Sequence, residues 1–282
     1  MNIITEFFVA GYAFFAGVAI LVMATFLSIR GSKERIRILY GILFALGMLL
    51  IVVSATPVPM LIFSLSATAM GVLYFFAGFE ARETKMLFWG ARLVLLAALA
   101  YLLMSELEHW RMPKISNSDH SKMYVVGTSL SMAPPGVSYT DLLKSKYGIN
   151  AFNLSQERNN PQSALKQAEM MSSSDLLILL ELGMDDDFSD FSFNLKHLLE
   201  AVSGGGRTIM MFELPRSPLS GRFVSTQREL AQQYNVKLIP RHVLAGAIRR
   251  SPHYGSLSAE EHRKLADLLG TSLQNNYRTA PE

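Results

Sequence analysis

A serine that closes an aliphatic run is the first residue in this chain placed to do chemistry. Residues 123–126 read Met-Tyr-Val-Val, and Gly127-Thr128-Ser129-Leu130-Ser131 follows at once. A serine hydroxyl is a weak nucleophile unless an adjacent base takes its proton and nearby donors stabilise the oxyanion. A bland reading stands beside this one, in which Ser129 caps the helix that follows the strand. A second candidate is the acidic run Asp185-Asp186-Asp187. Carboxylate oxygens at that density suit a hard cation such as calcium or magnesium. Acidic residues ahead of a helix also favour its positive end. The second reading asks less of the sequence, so no metal or other cofactor is expected.

Composition narrows the chemistry further. The chain has no cysteine, which removes disulfides, thiolate nucleophiles and Cys-ligated metals. Its net charge of +3 is small for 282 residues and the basic residues are scattered, so no nucleic-acid partner is expected. Gly204-Gly205-Gly206 lacks the Gly-Lys-Ser/Thr ending of a phosphate loop and precedes a strand, so it reads as a turn. The pairs Met170-Met171 and Met210-Met211 suit irregular core packing.

The elements that would position Ser129 are legible from residue 123 onward. Short aliphatic runs at 123–126, 176–182, 208–212 and 236–239, with a weaker one at 150–154, alternate with helix-like segments. Such alternation argues for a parallel sheet covered on both faces, with active sites at the carboxyl ends of the strands. Ser129 and the acidic run both fall at such ends. Capping-box spacing marks helix starts at Ser138 with Asp141, Thr226 with Glu229, and Ser258 with Glu261.

The first hundred residues are of another kind. Apolar runs at 7–29, 38–54, 59–79 and 86–104 lack a polar face, and each is about long enough to cross a hydrocarbon layer of about 30 Å. The expectation is a four-helix transmembrane region at 1–105, a polar link at 106–122, an α/β domain at 123–272 and a polar tail at 273–282. The first connection carries Arg30, Lys33, Arg35 and Arg37 against Glu34, and the second, at 55–57, is uncharged. The positive connection belongs in the cytoplasm. With an even number of spans, both termini and the α/β domain lie outside it, facing the periplasm in a bacterium with two membranes. The small-residue pairs Ala13 and Gly17, Gly41 and Ala45, and Ala67 and Gly71 permit close helix approach. Arg92 lies within the last run, either snorkelling to the cytoplasmic interface or meeting a buried partner.

Residues 123–269 carry, in order, GTSLS, NLSQER, LELGMDDDF, MMFELPRSP, QRELAQQYNVKLIP and HYGSLSAEEHRKLA. This order of blocks resembles the membrane-linked branch of the SGNH, or GDSL, lipases and esterases. The resemblance implies a three-layer α/β/α sandwich of flavodoxin-like character and ester hydrolysis or acyl transfer. It also makes Ser129 the nucleophile and assigns the oxyanion positions to Gly127, Arg158 and Asp185.

Set against that family, the chain departs at most of the catalytic positions. Thr128 stands where the family has aspartate, and Arg158 where it has a glycine whose N–H meets the oxyanion. Asp185 replaces the asparagine of Gly-x-Asn-Asp, while His253 and Ser256 occupy the places of the final Asp-x-x-His. Loss of an oxyanion donor removes an interaction worth about 3 to 4 kcal/mol, and Ser256 cannot act as base. Arg158 and Asp185 are expected to pair across the former oxyanion hole. His253 is the remaining candidate base, if it swings toward Ser129, and His262 reads as a structural or surface histidine. The expectation is a catalytically degenerate, membrane-anchored domain that binds or scaffolds an envelope lipid, an acylated glycan or a partner subunit. The alternative is an active tethered esterase.

Overall fold

The computed structural model describes residues 3–30, 34–54, 56–75, 82–115, 122–157, 159–169, 171, 176–183, 188–215, 221–248 and 257–277. The chain divides into two compact units, a helical one built mainly from Phe7–His109 and an α/β one built mainly from Trp110–Arg216 and Arg222–Glu282.

The helices up to Trp110 are α1 (Ile3–Val9), α2 (Tyr12–Leu27), α3 (Glu34–Val53), α4 (Met60–Phe75) and α5 (Arg82–Trp110). Among the described residues two helices, Glu34–Val53 and Lys85–Trp110, are long and apolar enough to cross a membrane, or three if the bent pair α1 and α2 is one span. This is fewer than the four runs of the sequence promised. The first run is not one helix, because α1 and α2 meet at 76°. Gly11 at the junction has a left-handed φ of 92°, a conformation that interrupts a helix and that glycine adopts without steric cost. The third run yields 16 helical residues, about 24 Å at 1.5 Å each.

Small residues do set the packing of α2 on α3. A Cβ on Gly17 would stand 2.7 Å from the Gly47 carbonyl oxygen, and one on Gly47 would stand 2.7 Å from Leu21 Cγ, so neither helix tolerates a larger side chain. Gly41 receives Tyr74 in the same manner, whereas Gly71 faces open space. Arg92 has a partner. Its Nη2 donates to the Ser28 carbonyl at 2.8 Å and its Nε to Ser28 Oγ at 3.1 Å, satisfying the C-terminal end of α2. Leu61, Phe75 and Leu93 stand out from the unit and are well exposed.

The α/β unit is built on β1 (Lys122–Gly127), β2 (Ala151–Asn153), β3 (Leu176–Glu181), β4 (Thr208–Phe212) and β5 (Lys237–Ile239). All pairs are parallel, in the order β2-β1-β3-β4-β5, with Val125 opposite Leu179 and Leu179 opposite Met210. The helices are α6 (Tyr139–Tyr147), α7 (Pro161–Glu169), α8 (Phe188–Val202), α9 (Gly221–Gln233), α10 (Arg241–Ile248) and α11 (Ala259–Tyr277).

Alternate strand residues feed two cores. Val125, Leu177, Leu179, Met210 and Phe212 pack with α6, α10 and α11, while Val126, Ile178, Leu180 and Met211 pack with α7, α8 and α9. The result is the three-layer α/β/α sandwich, and the central β3 is buried along its whole length, as a strand covered on both faces must be. Gly205 and Gly206, at φ 61° and 78°, form the expected turn before β4.

Two of the three expected caps are present. Ser138 Oγ accepts the Asp141 N–H at 3.1 Å, and Ser258 and Glu261 exchange bonds, with the Ser258 N–H donating to Glu261 Oε2 at 2.6 Å. Thr226 caps nothing. Helix α9 begins at Gly221, because the face carrying Val224, Leu230 and Ala231 buries from its first turn and carries the helix back past the threonine.

Candidate functional site

The strand order reverses between β1 and β3, and the crevice outside the carboxyl ends at such a switch point is where open parallel sheets bind ligands. Ser129 lies on it. The residue opens a three-residue 3-10 turn, Ser129–Ser131, directly after β1, and is half-buried. It does not cap that turn. Thr128 does, its hydroxyl accepting the Leu130 N–H at 3.4 Å. The Ser129 side chain makes no hydrogen bond among the described residues.

Beneath the turn sits a carboxylate that the sequence reading passed over. Glu181, 1% exposed at the end of β3, accepts the Thr128 N–H at 2.8 Å, the Thr128 hydroxyl at 2.9 Å and the Ser131 hydroxyl at 3.2 Å. Gly127 exists to let this cluster form. A Cβ there would lie 2.6 Å from Ser131 Oγ and 2.8 Å from Glu181 Oε2. Further bonds brace the turn from outside, since Asn153 Nδ2 donates to the Ser131 carbonyl at 2.8 Å and Asn159 Nδ2 to the Gly127 carbonyl at 3.1 Å.

From Ser131 the network continues inward. Its Oγ lies 2.9 Å from the hydroxyl of Tyr139, which is fully buried. The Tyr139 backbone N–H donates to His262 Nδ1 at 3.3 Å, and the two rings stack with centroids 5.9 Å apart. Burial drives the Tyr139 pKa well above its ordinary value, opposed by the Ser131 hydrogen bond and reinforced by Glu181. Burial lowers the His262 pKa, against smaller opposing influences from the Met132 backbone and Glu261. His262 is therefore a neutral structural histidine, with Nδ1 engaged in holding α6.

A second buried polar group closes the neighbouring strands. Glu213, just beyond β4, pairs with Arg228 at 2.6 Å and stands 4.0 Å from the Arg241 guanidinium, itself 1% exposed at the start of α10. His242 stacks on Trp110 at 4.3 Å, and burial lowers its pKa, with Glu213 opposing and Arg241 adding to the effect. Glu181 ends, and Glu213 directly follows, a strand that is otherwise apolar in its buried positions, which is the one signal by which the sequence could have announced them.

Of the residues singled out from the sequence, Gly127 and Ser129 are brought together at the end of β1. Arg158, Asp185, His253 and Ser256 lie outside the described residues, as does the whole Asp185-Asp186-Asp187 run. Among the described residues there is no group of three or more potential metal ligands, and no histidine hydrogen-bonds to Ser129.

No family model matches the chain, and none of the curated proteins matches it. Among solved structures it is similar to the psychrotrophic esterase EstA from Pseudoalteromonas sp., a structure inhibited by monoethylphosphonate. That likeness has 18% identity over 55% of this chain and 97% of the esterase, with a TM-score of 0.49. It is similar also to TesA, at 17% identity over 55% and 99% of the two chains and a TM-score of 0.48. A protein from Bacillus subtilis follows at 12% identity, covering 59% and 58%, with a TM-score of 0.45.

Proposed function

We propose that this chain is a membrane-anchored protein whose α/β unit is a catalytically degenerate SGNH-like domain, acting outside the cytoplasm as a binding or scaffolding module. The observation that carries the reading is a serine turn without its chemistry. The turn at Ser129 is built with care, yet its polar neighbours Thr128 and Ser131 are committed to Glu181, and the buried imidazole of His262 is committed to Tyr139. The sequence supplies Asp185 and Ser256 where an amide donor and a base would be needed, so attack by Ser129 has neither a proton acceptor nor full oxyanion support. The ligand is an envelope lipid, an acylated glycan or a partner subunit, and no cofactor takes part.

Counting the 16-residue apolar helix α4 as a short span beside α2, α3 and α5 gives the anchor four spans, and with the basic connection after α2 in the cytoplasm the α/β unit then lies in the periplasm of a bacterial inner membrane. A reporter fused after Glu282 tests this orientation. Activity of a periplasm-dependent reporter is expected, and a cytoplasmic signal would overturn it. Catalysis is tested by turnover of p-nitrophenyl acetate and butyrate in detergent. Wild type and Ser129→Ala are expected to be equally slow, and a Ser129-dependent rate would sink the reading.

One observation favours the alternative of a tethered esterase using His253 as base: Ser129 is half-exposed at the switch point and its hydroxyl is not spent on any described neighbour.

A further inference from the structure

We propose that Glu181 is the positioning residue of the Ser129 site, holding both flanks of the serine turn and tying it through Ser131 and Tyr139 to the last helix. The inference rests on the reading that the Ser129 turn is the working site, whether for binding or for chemistry.

Hydrogen-bond direction carries the argument. Thr128 and Ser131 each donate their hydroxyl proton to Glu181, the arrangement a carboxylate, which only accepts, calls for. Ser131 Oγ, having donated, accepts from Tyr139, whose hydroxyl lies 2.9 Å away. Every proton between Tyr139 and Glu181 therefore points the same way, toward the carboxylate. The Thr128 N–H joins at 2.8 Å, so the residues on each side of Ser129 in this turn are fastened to one buried group. The remote end is fixed as well, because His262 on α11 accepts the Tyr139 N–H through Nδ1 and must carry its proton on Nε2. Here a 1% exposed carboxylate stands at the end of the most buried strand, and Gly127 gives up its Cβ to admit it.

Glu181→Gln keeps the shape and breaks the directionality, since the amide must turn a donor toward one of three donors. The absence of cysteine makes Ser129→Cys a single-thiol reporter in the full-length protein. Two readouts are made on the detergent-solubilised chain. Hydrogen exchange by mass spectrometry is compared for wild type, Glu181→Gln and Tyr139→Phe. Iodoacetamide alkylation of the thiol introduced by Ser129→Cys is followed with and without Glu181→Gln, well above the usual thiol pKa of about 8.5.

The expected result is exchange at residues 128–132 accelerated about 10-fold or more by Glu181→Gln and less by Tyr139→Phe, with β4 and α8 unchanged. Thiol alkylation is expected to accelerate about 3-fold or more as the turn opens. Unchanged exchange in the turn, or equal acceleration throughout the α/β unit, would overturn the proposal. If Glu181→Gln does not fold, Tyr139→Phe carries the same localised expectation, and its failure to loosen the turn counts against the proposal. Neither readout requires acyl transfer, so an inert protein still answers the question, and ester turnover tests the functional reading separately.

Discussion

Gly127→Ala should be among the most damaging single-methyl changes in the α/β unit. The added Cβ would lie 2.6 Å from Ser131 Oγ, 2.8 Å from Glu181 Oε2 and 3.0 Å from Ser131 Cβ. The residue sits on β1, whose pairing with β3 extends to Gly127 opposite Glu181, so the backbone cannot back away without opening the ladder. Ser131 and Glu181 must move instead. Overpacking of this kind costs about 1 to 3 kcal/mol. A lost hydrogen bond to the carboxyl group adds about 1.5 to 3 kcal/mol, giving roughly 2.5 to 6 kcal/mol in all. Against a total of about 5 to 15 kcal/mol, that brings the unit close to unfolding. The chain has two tryptophans, so Trp89→Phe leaves Trp110, stacked on His242, as the sole tryptophan, read by selective excitation near the red edge of its absorption. Denaturant titration in that background gives the comparison. Gly246→Ala in α10 is the control, because its Cβ enters open space and helix propensity favours alanine by up to about 1 kcal/mol. A loss below about 1 kcal/mol for Gly127→Ala would refute the close packing of Gly127 against Ser131 and Glu181.

Two further expectations concern the rest of this unit. The folded pKa of His262 is depressed, so its contribution to stability is fully present above the unfolded value of about 6.5 and is lost as the pH falls below it. The denaturant midpoint should drop between pH 7.5 and 5.5, by no more than about 1.4 kcal/mol per pH unit from this group, with half-buried His242 adding less. His262→Asn should flatten the dependence, and an unchanged or rising midpoint on acidification would contradict the assignment. Ser258→Ala removes a capping partner of α11 and should cost about 1 kcal/mol, read as a fall of a few degrees in Tm. No shift would mean that the cap is idle.

How far the sequence could be read depended on whether a signal was local. The strands declared themselves because β3 and β4 are buried on both faces and therefore carry apolar runs, Leu-Leu-Ile-Leu-Leu at 176–180 and Ile-Met-Met-Phe at 209–212. Ser138 and Ser258 were legible because a capping serine acts on residues three positions away. Thr226 with Glu229 matched the same pattern by chance within a helix whose buried face already extended to Gly221. The break at Gly11 lay hidden in an apolar run that tolerates a glycine, and the Gly17 to Gly47 approach joins two helices that no sequence spacing connects.

The site divides in the same way. Ser129 was found as the residue after an aliphatic run, but its surroundings were not, because Glu181, Tyr139 and His262 come from three separate elements and meet only in the fold. Glu181 in particular looked like the end of a strand. Its meaning depends on Gly127, where a methyl group would stand 2.8 Å from Glu181 Oε2.

The central claim, that the Ser129 turn is intact but not activated, is tested most directly by stoichiometric labelling with a fluorophosphonate probe. Full-length detergent-purified protein, its Ser129→Ala variant and a known serine esterase are treated identically. The account predicts that wild type labels no more than Ser129→Ala while the esterase labels fully. Strong labelling of wild type that vanishes in the variant would contradict it and would show that a base, with His253 the first to examine, reaches the serine after all.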